Sequence, residues 1–299
     1  MKYQLLGPSG LRVSEICLGA MTFGEEWGIG ANLADSREVF RAYSDAGGNH
    51  RKNIVQAVEA SLRRLETDYI DLYWLHMWDF TTPLEEVMRA LDDLIRAGKI
   101  LYVGASDAPA WIVSRANMLA ELRGWTPFIA LQLKYNLLER TIEREFMPMA
   151  RELGLTVTSW APLNYGILTG KYRVENGELL SSDGSNRYAP HQAGFLDERK
   201  FGILAALEKI ARKNEKTMAQ VALAWNRRKG ALPIIGARTQ EQLLENLGCL
   251  DFELSSDDFQ ELERVSEISL GFPHDFLHRD GIRERVFGET FRDFKDLRL

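Results

Sequence analysis

Strand-like and helix-like patterns alternate along this chain about every 30 residues, and the alternation fails at one place, the junction Asn49–His50. Short β-branched or aromatic runs at Glu15–Met21, Tyr69–His76, Ile100–Ser106, Phe128–Tyr135, Thr156–Pro162 and Ala231–Gly236 predict strands. Amphipathic stretches near Leu84–Ala97, Ala110–Leu122, Glu143–Leu153, Leu196–Arg228 and Gln240–Leu247 predict the helices between them, with Gly98, Gly124, Gly154 and Gly230 at the expected C-terminal caps. The strands are almost continuously apolar, as parallel strands covered on both faces are. A further helix, from about Ser36 to Ala46, ends at Gly47-Gly48, and another starts at Arg51 and runs through Ile54, Val58, Ser61 and Leu65. No strand pattern separates the two. In a parallel barrel each helix returns the chain to the start of the next strand. Consecutive helices therefore mean either a lost strand–helix–strand unit, the preferred interpretation, or a short helix-turn-helix insertion. Six core strands are counted where eight close the usual barrel.

The chain is expected to form a single domain over residues 1–299. Tyr3–Leu6 and Leu11–Val13, around Gly7-Pro8-Ser9-Gly10, predict a hairpin at about 3–13 capping one barrel end. A long polar loop at about 163–195 suggests a lid or cofactor loop. A tail at about 271–299 carries spaced aromatics, suited to packing over a barrel mouth or meeting a partner. A net charge of −6 argues against nucleic acid as a partner. The longest apolar runs are too short for membrane insertion. Cys17 and Cys249 have neither CxxC nor metal-ligand spacing, so free buried thiols in a reducing, cytoplasmic setting are expected, with no metal.

Function in a barrel lies at the C-terminal ends of its strands. Those ends carry His76, Ser106-Asp107, Gln132, Trp160 and Gly236-Ala237-Arg238. Each has a structural alternative: His76 as a core histidine, Ser106 or Asp107 as a helix cap, Arg238 as a solvated turn residue. Their joint placement favours one pocket. Gly236 permits close backbone approach, a helix starts near Thr239 or Gln240, and Arg238 offers a planar fork. Gln242 and Asn246, one helical turn apart, share a face. This arrangement suits a 2′-phosphate, hence NADP(H), and no Gly-x-Gly-x-x-Gly follows a strand to suggest a Rossmann site. A weaker alternative is a barrel enzyme for a phosphorylated small molecule, in which Gln132 and Ser106-Asp107 have no clear task.

The stretches Leu18-Gly19-Ala20-Met21-Thr22-Phe23-Gly24, Ser61-Leu62-Arg63-Arg64-Leu65, Asp68-Tyr69-Ile70-Asp71-Leu72-Tyr73-Trp74-Leu75-His76 and Gly104-Ala105-Ser106-Asp107 resemble the aldo-keto reductases. So do Gln132-Leu133-Lys134-Tyr135-Asn136, Trp160-Ala161-Pro162-Leu163, Leu168-Thr169-Gly170-Lys171-Tyr172 and Gly236-Ala237-Arg238, and the resemblance covers essentially the whole chain. The branch is similar to bacterial members and to potassium-channel β subunits of the same fold. The resemblance implies an α/β fold, a (β/α)8 TIM-type barrel lacking about two strands and one helix after residue 49. It also implies reduction of aldehydes or ketones to alcohols with NADP(H), a small carbonyl substrate, and a possible homo-oligomer. Ser106, Asp107 and Gln132 would hold the nicotinamide carboxamide, and the ring would stack on Trp160. Pro162, Leu163 and Lys171 would line the pyrophosphate path. Arg238, Gln242, Glu245 and Asn246 would grip the adenosine end. Met21, Ala161, Arg187 and Gly236 complete the cofactor set, and His76 matches the catalytic histidine.

The family's remaining catalytic groups are an Asp and a Tyr after strand two and a Lys on strand three. Neither the Phe-Ile-Asp-Thr-Ala region nor the Ala-Thr-Lys strand that carries them occurs in this chain. Relatives of the branch show Gly-Gly-Asn twice, before strand two and before the third helix, whereas here Gly47-Gly48-Asn49 occurs once. Two readings follow: a carbonyl reductase, or a cofactor-binding barrel, regulatory or catalytically impaired. Tyr135 or Tyr165 would replace the lost phenol only if the fold brought one to the bound carbonyl. An opened barrel wall is expected to rearrange locally or to associate through its edges.

Overall fold

The computed structural model describes residues 1–19, 48–175, 178–181, 197–237, 239–288 and 290. The helix expected at 36–46 and the site candidates Met21, Arg187 and Arg238 lie outside the described residues. After the hairpin β1 (Tyr3–Leu5) and β2 (Arg12–Ser14) comes β3 (Cys17–Leu18). Then follow α1 (Arg51–Leu65), β4 (Ile70–Leu75), α2 (Leu84–Arg96), β5 (Ile100–Ser106), α3 (Ala110–Arg123), β6 (Phe128–Lys134), α4 (Phe146–Glu152) and β7 (Thr156–Trp160). A second hairpin is formed by β8 (Tyr172–Glu175) and β9 (Glu178–Ser181). The chain continues with α5 (Glu198–Lys213), α6 (Met218–Arg228), β10 (Ala231–Ile235), α7 (Gln240–Leu247), α8 (Ser256–Ser266), α9 (His274–Leu277) and α10 (Asp280–Phe287).

Six strands form one parallel sheet in the order β3-β10-β7-β6-β5-β4, with helices packed on its outer face: a partial (β/α)8 barrel. The order ends on β3 on one side and β4 on the other. These strands flank the interval in sequence that contains Asn49–His50, and among the described residues no strand of the sheet lies between them. The start of α1 is tied to the loop after β4. The Asp79 carboxylate accepts hydrogen bonds from Asn49 N (2.5 Å), Thr81 N, Thr82 N and Thr82 Oγ1, and Asn49 Nδ2 donates to Met77 O. Burial opposes its ionisation, but the N–H groups of Asn49 and Thr82 outweigh that and hold the carboxyl well below the usual range.

Alternation within the strands divides the core. Val103, Ala105, Leu131, Leu133 and Val157 face the helices, whereas Leu72, Trp74, Tyr102 and Leu232 face inward. One irregularity sets the inward column. Val103 pairs with Phe128 but Gly104 pairs with Ala130, so Ile129 is an extra residue on β6, and Ile129 and Ala130 both join the inner cluster. This bulge shifts the phase of β6 by one and turns its later even-numbered residues inward. Gly104 is required there, since a Cβ would meet the Trp74 ring at 2.3 Å. At the other end of the barrel the first hairpin inserts Leu6 against Ile129 and Leu232, as expected for a cap, and Gly7 N donates to Thr156 Oγ1 at 2.6 Å.

Several expectations need correction. The single helix over Leu196–Arg228 is two, because Glu215 adopts a left-handed φ of 52° and Thr217 starts α6 with a capping box to Gln220. The Glu143–Leu153 helix is a 3-10 turn at Thr141–Glu143 followed by α4. The loop expected over 163–195 contains a 3-10 segment at Asn164–Thr169 and the β8–β9 hairpin among its described residues. Cys249 is buried but Cys17, on the edge strand β3, is only half-buried; both are free. The tail touches the rim after β6, where His274 Nε2 lies 2.9 Å from Glu145 Oε1, while Phe272 stays 85% exposed.

Candidate functional site at the strand ends

Register brings the candidates together. Ser106 on β5 pairs with Gln132 on β6, and Gln132 pairs with Thr158 on β7. Two residues on, Lys134 pairs with Trp160. Strand alternation puts Gln132 and Lys134 in the inward column beside Ser106, and His76 continues the column of Leu72 and Trp74. His76 is exposed, so it is not a core histidine. Neither Ser106 nor Asp107 caps the next helix, whose N-cap is Pro109 with no side-chain bond.

The Ser106 hydroxyl is the most informative group. It is 1% exposed and has no hydrogen-bond partner among the described residues. Leaving a buried hydroxyl unpaired costs on the order of 1–3 kcal/mol, so the position is tolerated where a ligand supplies the partner. A carboxamide, with two donors and an acceptor, fits between Ser106 and the half-buried Gln132. Beside them Asp107 Oδ1 accepts from Trp160 Nε1 at 3.2 Å, which fixes the indole plane.

Backbone strain gathers at the same mouth. Asp107 (φ 43°), Ala161 (48°), Asn164 (44°) and Tyr165 (56°) are non-glycine residues in left-handed conformation, each costing about 1–3 kcal/mol. The loop after β7 is held by Asn136, whose Nδ2 donates to Ala161 O at 2.9 Å while its Oδ1 accepts from Leu138 N and Glu139 N. Pro162 is buried, and Ala161, Leu163 and Lys171 are half-buried along this segment. Behind it, Ser159 Oγ donates to Asn226 Oδ1 and Asn226 Nδ2 donates to Tyr135 O, tying β7 to α6 and β6.

At the far end of the mouth, Gly236 is exposed after β10 and Thr239 caps α7, accepting from Gln242 N at 3.3 Å. The Glu241 carboxyl at this helix start is held below its usual range, first by its own backbone N–H and then by the Thr239 hydroxyl. The helix start therefore already favours negative charge. Gln242 and Glu245 are exposed, but Asn246 is buried with Nδ2 directed to Gly236 O at 3.5 Å. Asn246 thus supports the strand end rather than projecting with Gln242.

Of the two tyrosines named above as candidate proton donors, Tyr135 is excluded. It is fully buried and donates to Glu143 Oε1 at 2.5 Å, and burial and that carboxylate push it far above the usual phenol range. Tyr165 lies in the mouth, 39% exposed, with Lys134 Nζ 5.2 Å from its ring centroid. Sequence reasoning missed Lys134 and Asn164. Lys134 was detectable as the residue two beyond Gln132 on the same strand face. Asn164, 1% exposed with both side-chain polar atoms unpartnered among the described residues, carried no sequence signal.

Comparison with known proteins agrees with this geometry. The model of the aldo/keto reductase family matches residues 47–267. Norsolorinic acid reductase A of Aspergillus parasiticus is 31% identical over 99% of this chain and 89% of its own. An aryl-alcohol dehydrogenase of Pestalotiopsis microspora is 30% identical over 94% of this chain and 86% of its own. An NADP(+) aryl-alcohol dehydrogenase of Phanerodontia chrysosporium is 37% identical over 78% and 61%. A partial parallel barrel with a polar mouth at its strand ends, matched by that family over most of its length, places the chain in the aldo/keto reductase family.

Proposed function

We propose that this chain binds NADP(H) across its strand ends and that its reaction is reduction of aldehydes or ketones, with aromatic carbonyls as the substrate class. The buried, unpartnered Ser106 hydroxyl in register with Gln132 carries the cofactor reading. Ser106 and Gln132 hold the carboxamide, with Asp107 beside them fixing Trp160, which provides the stacking face. Ala161, Pro162, Leu163 and Lys171 line the pyrophosphate path. Gly236 and the α7 start, with Gln242, Glu245 and Arg238, hold the adenosine end, and Asn246 braces it. Met21 and Arg187 belong to the same set by resemblance. The nicotinamide, when bound, supplies the hydride. His76 at the end of β4 orients the carbonyl oxygen. The aromatic preference and the choice of NADP(H) are supported by relatives described as aryl-alcohol dehydrogenases, one of them NADP(+)-dependent. The free thiols suit a reducing, cytoplasmic setting.

A second reading, binding with little turnover, is supported by the engagement of Tyr135 and by the absence of the Phe-Ile-Asp-Thr-Ala and Ala-Thr-Lys segments from the sequence. Two alignments that span nearly the whole chain run over 341 and 356 positions, although 94% and 99% of 299 residues are only about 281 and 296. Each thus includes about 60 positions that this chain lacks. The alignment covering 78% of the chain runs over 240 positions for about 233 residues, so the deficit lies outside that part. A barrel of about 250 residues spends about 31 on each βα unit, so a gap of about 60 has room for a strand–helix–strand segment with its loops. Titration with NADPH, then addition of an aromatic aldehyde while NADPH absorbance is followed, separates the readings. Oxidation of NADPH supports the reductase; binding without oxidation contradicts it for this chain.

A further inference from the structure

Lys134 closes β6 at the mouth, turned inward by the bulge at Ile129 and paired across the sheet with Trp160. Its Nζ lies 5.5 Å from the Trp160 ring centroid and 5.2 Å from that of Tyr165. Asp107 engages the indole at its Nε1 edge, whereas the ammonium lies over the face. Among the described residues Lys134 forms no ion pair, so its charge is held by two aromatic faces and solvent.

An ammonium on the face of Trp160 stands where the cofactor reading stacks the nicotinamide ring. That ring carries a positive charge when oxidised and none when reduced. We infer that Lys134 sets the redox preference of the cofactor site, repelling NADP+ relative to NADPH. The inference rests on the cofactor reading but adds to it, because it concerns which form binds rather than whether one binds. A lysine tethered one strand from Trp160 stays within several ångströms of a stacked ring even if its ammonium swings aside. Like charges about 5 Å apart differ in binding by about fourfold at the dielectric of water, and by more where the mouth excludes water.

The test is calorimetric measurement of Kd for NADP+ and for NADPH in the parent protein and in K134R, K134M and K134E, with circular dichroism as a check on folding. K134Q replaces K134M if the latter does not fold. The ratio of Kd for NADP+ to Kd for NADPH is expected to stay within twofold in K134R, to fall about fourfold or more in K134M, and to fall further in K134E. An unchanged ratio in K134M and K134E, with both cofactors bound, overturns the inference and leaves the cofactor reading intact. Failure of the parent protein to bind either cofactor overturns both.

Discussion

Replacing Ser106 by alanine should move stability and cofactor affinity in opposite directions. The hydroxyl is 1% exposed and unpartnered, while the Cβ that alanine retains keeps the packing at this strand end. Removing an unpaired buried hydroxyl without opening a cavity relieves part of a penalty of about 1–3 kcal/mol. The free protein should therefore gain about 1 kcal/mol, a rise in Tm of about 2 °C for a chain of this size. If the same hydroxyl meets the nicotinamide carboxamide, NADPH affinity should fall about three- to tenfold, the worth of one neutral hydrogen bond. Urea unfolding of the cofactor-free protein measures the first effect and calorimetric titration the second. A destabilised S106A protein would show that the hydroxyl is already satisfied in the free state. A stabilised variant with unaltered NADPH affinity would show that the cofactor does not use it.

Other expectations concern the frame of the site. Arg140, 5% exposed, donates to both Glu143 oxygens and to Glu263, which joins the β6 end to α8. E143Q should cost about 2 kcal/mol in urea unfolding, with Glu263 limiting the loss; a neutral effect would refute the assigned role. Asp79 has a depressed folded pKa, so its contribution is complete above the unfolded carboxyl range near pH 4 and is lost as pH falls through the lower folded value. Protection factors at Asn49, Thr81 and Thr82, each relative to the intrinsic exchange rate at the same pH, should therefore fall in acid, and in D79N already at neutral pH; equal protection in D79N would be contrary. E241Q should strengthen NADPH binding by removing a carboxylate from the α7 start, and weaker binding would show that Glu241 assists the site. The end strands β3 and β4 invite pairing with a second copy, so light scattering should show mass rising with concentration. A concentration-independent monomer would count against this.

The barrel was legible because its strands are covered on both faces, which writes them as apolar runs, and because helix ends at Gly98, Gly124, Gly154 and Gly230 all take the positive φ that glycine signals. Among the described residues the sheet ends on β3 and β4, the strands on either side of the point where the sequence pattern fails. The break at Glu215 was not, since apolar spacing continues from α5 into α6 and only the Thr217–Gln220 capping box marks a new start. At the site, Ser106, Gln132 and Trp160 follow from strand ends. The bulge at Ile129 does not: it depends on how β5 and β6 pair, which single-strand alternation cannot express. The direction of the Asn246 amide was not legible, because helical periodicity gives a face but not which neighbour a short amide will reach.

The most direct test of the account is calorimetric titration of the intact chain with NADPH, repeated on W160A. Saturable binding at one site per chain, weakened about tenfold or more when the stacking face is removed, is the predicted result. Absence of binding, or binding indifferent to Trp160, would contradict a nicotinamide site at the strand ends.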